Sequence, residues 1–166
     1  MKRARMELDA HNMTDLDPFD IRLLASLQDD AAVTNQQLGE RIGLSASQVS
    51  RRRQRLEEAG VIRRYRADVD AAAVGFSVVA FVGVALNAHS RQNARRFRDL
   101  VRALPEVQEA HVLTGDMDYM LKVAVADLAA LSRFINDELL PHEAVRNVRS
   151  SIAMETLKDD NRLPFA

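Results

Sequence analysis

The stretch 34-TNQQLGERIGLSASQVSRRRQRLEEAG-60 decides how the chain is read. Thr34 stands three residues before Gln37, and Ser45 three before Gln48. Each pair has the form of a capping box, in which the hydroxyl accepts from a first-turn amide and the glutamine reaches back to the cap. The pattern predicts one helix starting near Asn35 and a second near Ala46. Gly43 lies between them as a pivot, with Leu38, Ile42 and Leu44 in apolar contact across the turn. Val49 and Leu56 carry an apolar stripe along the second helix. Gly60 stops it, since glycine takes the left-handed backbone found just past helix ends. This is a helix-turn-helix whose second helix suits the DNA major groove.

The charge distribution agrees. The chain has 166 residues and a net charge of −1, which alone says nothing for nucleic acid. Residues 1–66 hold 12 Lys and Arg against 10 Asp and Glu, whereas residues 67–166 hold 11 against 14. Residues 51–66 contain seven arginines and two glutamates, a local basic stripe of the kind DNA binding needs. With no cysteine, disulfides and thiolate metal sites are excluded. The start MKRARMELDAHN has no apolar run behind its basic residues and does not read as a signal peptide. No stretch reaches the roughly 18–20 apolar residues of a membrane span, so a bacterial-type cytoplasm is the simplest address.

Outward from the motif, residues 1–15 read as a flexible tail in which Lys2, Arg3 and Arg5 are candidates for a minor phosphate contact. Asp17-Pro18 opens a first helix, with Asp as N-cap and Pro at the first helical position. Phe19, Ile21, Leu23, Leu24 and Leu27 then supply the face that covers the other two helices. Val61 to Arg66 alternates like a short strand leaving a DNA-binding domain at 16–66, and 67–75 reads as a linker.

Beyond Gly75 the period changes. Phe76 to Leu86 reads as a strand apolar on both faces, and Ser90 to Leu104 as a helix closed by Pro105. Val107 to Leu113 and Tyr119 to Val125 form a hairpin. Asp127 caps a second helix ended by Pro141, and a last strand runs from Val145 to about Thr156. The order is βαββαβ, a ferredoxin-like domain over 76–158, with a tail at 159–166. The fold class is α+β: an N-terminal three-helix, winged-type helix-turn-helix domain plus this C-terminal domain. The sheet face without helices calls for cover, and a second copy of the chain is the simplest source.

Two groups of residues carry candidate chemistry. On the second helix of the motif, Ser45, Ser47, Gln48, Ser50, Arg51, Arg52 and Arg55 form a polar face. Arg can pair with guanine and Gln with adenine. Ser47, Gln48 and Arg51 are assigned nearest the bases, with Arg52 and Arg55 on phosphates, where contacts make binding steeply salt-dependent. Arg63, Arg64 and Arg66 are further phosphate candidates. The second group is the turn Leu113-Thr114-Gly115-Asp116-Met117-Asp118-Tyr119, where Gly115 allows close approach and the aspartates can accept from an ammonium group. Gly and Asp are equally ordinary choices for a hairpin turn. His11, His89, His111 and His142 show no metal-ligand spacing, and Asp116 and Asp118 lack the companions of a catalytic site.

LDPFDIRLLASLQDD, then TNQQLGERIGLSASQVSRRRQRLEEAGVIRRY, then HVLTGDMDYMLKV within a βαββαβ domain closely resembles the Lrp/AsnC (leucine-responsive, feast/famine) transcriptional regulators. The resemblance covers residues 16–158 in the family's order. It implies a DNA-binding regulator, not an enzyme, with no cofactor but an amino-acid effector bound between subunits near Leu113, Thr114, Gly115, Asp116, Asp118 and Tyr119. It also implies homodimers that often assemble further, for example into octamers. An effector-independent protein that wraps DNA is the alternative. One departure is Arg53, which stands where the family has an aliphatic residue; its stem is expected to lie over the core with the guanidinium turned toward a phosphate.

Overall fold

The computed structural model describes residues 16–87 and 90–165; the expectations for Lys2, Arg3, Arg5, His11 and His89 fall outside them. The described residues divide into two compact units, one of residues 16–68 with 160–165, the other of residues 69–87 with 90–159.

The first unit is three helices: α1 (Pro18–Asp29), α2 (Asn35–Ile42) and α3 (Ala46–Glu58). Local sequence chemistry starts each one. Asp17 Oδ1 accepts from the amides of Phe19 and Asp20 at 2.8 and 2.9 Å, and Asp20 answers by accepting from the Asp17 amide. Thr34 with Gln37, and Ser45 with Gln48, close the two expected capping boxes. Gly43 ends α2 at φ +76°, a conformation that a Cβ disfavours. Leu23, Leu24 and Leu27 of α1, Leu38 and Ile42 of α2, and Val49 and Leu56 of α3 bury one small core with Val33.

Two expectations change here. Residues 61–66 are not a strand: among the described residues no strand pairs with them, and Val61 and Ile62, although adjacent, both pack against the helical core. The Ile62 amide instead donates to the Leu56 carbonyl at 3.0 Å, folding the segment under the end of α3. Nor is the C-terminal stretch a free tail. The Leu163 amide donates to Gln28 Oε1 at 2.6 Å, Gln28 Nε2 returns a bond to the Leu163 carbonyl, and Arg162 pairs with Asp29 at 2.7 Å. Phe165 then packs against the three-helix core.

In the second unit a 3₁₀ turn, Ala72–Val74, leads to β1 (Val78–Leu86), α4 (Arg91–Ala103), β2 (Val107–Val112), β3 (Tyr119–Val125), α5 (Leu128–Arg133) and β4 (Val145–Ile152). The antiparallel sheet has the order β2-β3-β1-β4. Its inner face, with Ala80, Val82, Val84, Leu121 and Val123, is buried with Phe97 of α4 and Leu131 of α5. Phe134–Leu139 continues α5 as a π-helical turn, with Leu140 N bonding Ile135 O at 2.9 Å. β4 ends at Ile152, short of Thr156: Ala153 donates to Val79 O at 2.9 Å, and β1 offers almost no further rung beyond it. Burial on both sheet faces is not met within one subunit, since Phe81 on the face away from the helices is 44% exposed.

Candidate nucleic-acid interface and sensor turn

α3 turns Val49 and Leu56 fully into the core, which sends the opposite side of the helix outward. Ser47, Ser50 and Arg51 are exposed there, and Arg51 makes no ion pair among the described residues. Ser45 and Gln48 are also exposed, but both serve the cap: the Ser45 amide donates to Gln48 Oε1 at 2.9 Å. The cap leaves Gln48 its amide nitrogen to offer a base. The sequence reading passed over Gln54, which lies three residues after Arg51 and seven after Ser47 and so shares their face; the helical period was the available signal.

The other arginines of α3 are occupied within the protein. Arg52 Nη1 sits 2.7 Å from both Asp17 Oδ2 and Asp20 Oδ1, and Arg55 Nη2 pairs with Asp20 Oδ2. Asp20 is completely buried, so both of its oxygens are satisfied by guanidiniums from the neighbouring helix. In this structure the carboxylates at the start of α1 hold Arg52 and Arg55, the two side chains assigned to phosphates. The hydrogen bond from the Asp20 amide first, then the Arg52 guanidinium, holds the Asp17 carboxyl below its usual range. The Asp17 carboxylate first, then that of Asp20, raises the Arg52 guanidinium. Arg53 is half-buried, and its guanidinium donates to Asn35 Oδ1 at 3.0 Å and lies over the Tyr65 ring. Burial, and next the hydrogen bond to Glu57, push the Tyr65 hydroxyl above its ordinary value.

In the second unit the turn between β2 and β3 leaves Leu113, Thr114, Gly115 and Asp116 exposed. Gly115 has φ +125°, which favours glycine there. Asp118 is half-buried and its Oδ2 accepts from the Leu86 amide at 2.7 Å, so this carboxylate fastens the end of β1. Alternation turns the ring of Tyr119, a residue expected at the effector, into the subunit core, 4.7 Å from Phe97. Met117, by contrast, lies against Gly83, where an added Cβ would meet Met117 Cγ at 3.1 Å. A cavity of about 370 Å³ lies at the opposite end of the sheet, walled by Phe76, Glu106, Arg133 and Phe134 among others, and by none of residues 113–119. Among the described residues no three His, Asp or Glu side chains converge to hold a metal ion, and no helix is long and apolar enough to cross a membrane.

A capped helix-turn-helix in one unit and a four-stranded α+β sheet in the other define a two-part DNA-binding regulator. The comparisons supply the family. Residues 16–63 match the family model described as winged helix-turn-helix DNA-binding, and residues 79–163 the Lrp/AsnC ligand binding domain. The chain is 40% identical over 145 residues to the leucine-responsive regulatory protein of Rhizobium meliloti, covering 87% of this chain and 93% of that one. A transcriptional regulator from Neisseria meningitidis, solved as its L-Met complex, superposes with a TM-score of 0.86 at 36% identity, over 90% of this chain and 96% of that one. An AsnC family transcriptional regulator from Agrobacterium tumefaciens gives 0.84 at 37% identity, over 89% and 96%. The chain belongs to the Lrp/AsnC family of transcriptional regulators.

Proposed function

We propose that this regulator binds a defined DNA sequence through α3 and changes that binding when a small amino acid occupies a site between two subunits. Ser47, Ser50 and Arg51 face the bases with Gln48 and Gln54 beside them, while Ser45 offers its hydroxyl to a phosphate as well as to the cap. Leu113, Thr114, Gly115 and Asp116 contact the effector; Asp118 shapes the turn from behind. The chain works in the cytoplasm as a homodimer, built on into a larger ring such as an octamer, and catalyses no reaction.

The observation that carries this reading is the uncovered side of the sheet. Phe81 stands 44% exposed in the middle of β1, paired across the ladder with Lys122, and the exposed turn 113–116 lies at one end of the same sheet. A second copy laid on that face buries Phe81 and brings the turns of neighbouring subunits within reach of one ligand. An effector shifts the spacing of the paired recognition helices only by preferring one arrangement over the other.

The test is light-scattering mass and thermal shift against the twenty amino acids, followed by DNA binding with and without the hits. L-Met is the first to try, because a similar protein was solved with it. A single amino acid that raises the melting temperature by mass action and alters DNA affinity is the expected result. If none changes melting, mass or DNA affinity, the effector-independent wrapping protein takes its place.

A further inference from the structure

We propose that Asp17 and Asp20 set the DNA specificity of this regulator by holding Arg52 and Arg55 as phosphates would, so that α3 meets DNA with little surplus charge. Four arginines lie on α3, at positions 51, 52, 53 and 55. Arg52 and Arg55 are paired to the two aspartates, and Arg53 to Asn35. Only Arg51 has no protein partner among the described residues.

A carboxylate and a phosphate present a guanidinium with the same paired oxygen acceptors. Two carboxylates with two guanidiniums carry no net charge, so the cluster adds little to the attraction between α3 and the DNA backbone. That attraction is independent of sequence and dominates binding to random DNA. Neutralising it inside the protein lowers affinity for random DNA while leaving base contacts from Ser47, Gln48 and Arg51 in place. The ratio between the right site and a wrong one then rises. The geometry also fixes the rotation of α3, since Arg52 and Arg55 bind opposite oxygens of one fully buried carboxylate. A buried ion cluster roughly breaks even in stability, so its main effect lies in where it holds α3 and its charges.

The proposal rests on α3 being the DNA-contacting helix, which Arg51→Ala tests by itself: unchanged DNA affinity in that variant removes the reading of α3 as well. The test of the aspartates uses the full chain, a duplex selected by it from a random pool, and a scrambled duplex of the same length and composition. Asp17→Asn is the variant of choice, because asparagine caps a helix as well as aspartate and the first turn of α1 is kept. With the Asp17 charge removed, Arg52 is held by Asp20 alone, the cluster carries one net positive charge, and the scrambled duplex binds several-fold tighter. The slope of log affinity against log salt steepens by about 0.9, and the specificity ratio falls. The double variant Asp17→Asn/Arg52→Gln, which deletes the pair and its charge together, returns the slope to its original value. The proposal is overturned by an unchanged slope and ratio in Asp17→Asn, or by a double variant shallower than the parent by about 0.9, which places Arg52 on a phosphate from the start. A uniform loss of affinity for both duplexes, with the slope unchanged, also overturns it and leaves the aspartates as mere struts.

Discussion

Asp118 Oδ2 accepts a hydrogen bond from the Leu86 amide at 2.7 Å, tying the turn after β2 to the last residue of β1. The Asp118 amide donates to the Val84 carbonyl at 3.0 Å and so makes the same tie through the backbone. Removing the carboxylate strands a partly buried amide at the strand end. Asp118→Ala is expected to lower the stability of the sensor unit by about 1–3 kcal/mol in chemical denaturation without any effector present. Asp118→Asn keeps an acceptor and should lose less. Equal stability of Asp118→Ala and the parent chain would show that the bond contributes nothing in solution.

Gly39 offers a second prediction. A Cβ built there meets the Leu44 carbonyl oxygen at 2.3 Å, closer than real contacts allow, and the neighbour is backbone with no rotamer to yield. The Gly39 carbonyl in turn accepts from the amides of Gly43 and Leu44, both at 2.9 Å, so the turn is wound tightly on this residue. Gly39→Ala is expected to cost about 1–3 kcal/mol despite the better helix propensity of alanine. Melting followed by circular dichroism checks it; a variant that melts higher shows that the turn can open at no cost.

Acid stability follows from Asp17. Its carboxyl is held below the ordinary value of 3.8, by the Asp20 amide first and Arg52 next. The folded chain therefore binds this proton less readily than the unfolded chain. The contribution is fully present above the ordinary value and is lost as pH falls through the lowered one. Melting temperature should thus be insensitive to this group from neutrality to about pH 5, and decline as the pH falls below about 4. Other carboxylates titrate in the same window, so the difference between the parent and Asp17→Asn isolates it. The two curves should converge as the solution becomes more acidic. Parallel curves down to low pH would contradict the assignment.

What the sequence disclosed and what it withheld divide by distance along the chain. Caps such as Thr34 with Gln37 are three residues apart, and a side chain reaching that far is legible from residue type alone. The strands of the second unit announce themselves by alternation, as does the family through its ordered motifs. The pairing of Arg52 with Asp20 spans 32 positions and joins two polar residues on helices whose periodicity marks only their apolar faces. Periodicity assigns a charged residue to solvent unless a partner is known, and so it does not disclose that Arg52 and Arg55 pair with aspartates. The same blindness applied to Arg162 and Asp29, 133 positions apart. Tyr119 is legible as the first residue of β3, and that strand's alternation turns its ring inward, a packing role that its place beside the turn does not disclose.

The C-terminal segment gives the last prediction. Gln28 exchanges two hydrogen bonds with the backbone of Leu163, and Phe165 covers the core formed by α1, α2 and α3. The exposed Arg162–Asp29 pair adds little on its own, because solvent screens it. The apolar contact matters more: a half-buried phenylalanine is worth about 1 kcal/mol. Phe165→Ala should therefore speed amide hydrogen exchange along α1 several-fold, whereas Arg162→Ala should change it little. Stopping the chain after Asp159 removes all of these contacts and should speed exchange in α1 more than either substitution. Exchange in β1 and β3, which belong to the other unit, should stay as it was. Unaltered exchange in α1 after the truncation would mean that the segment rests on the helix without holding it.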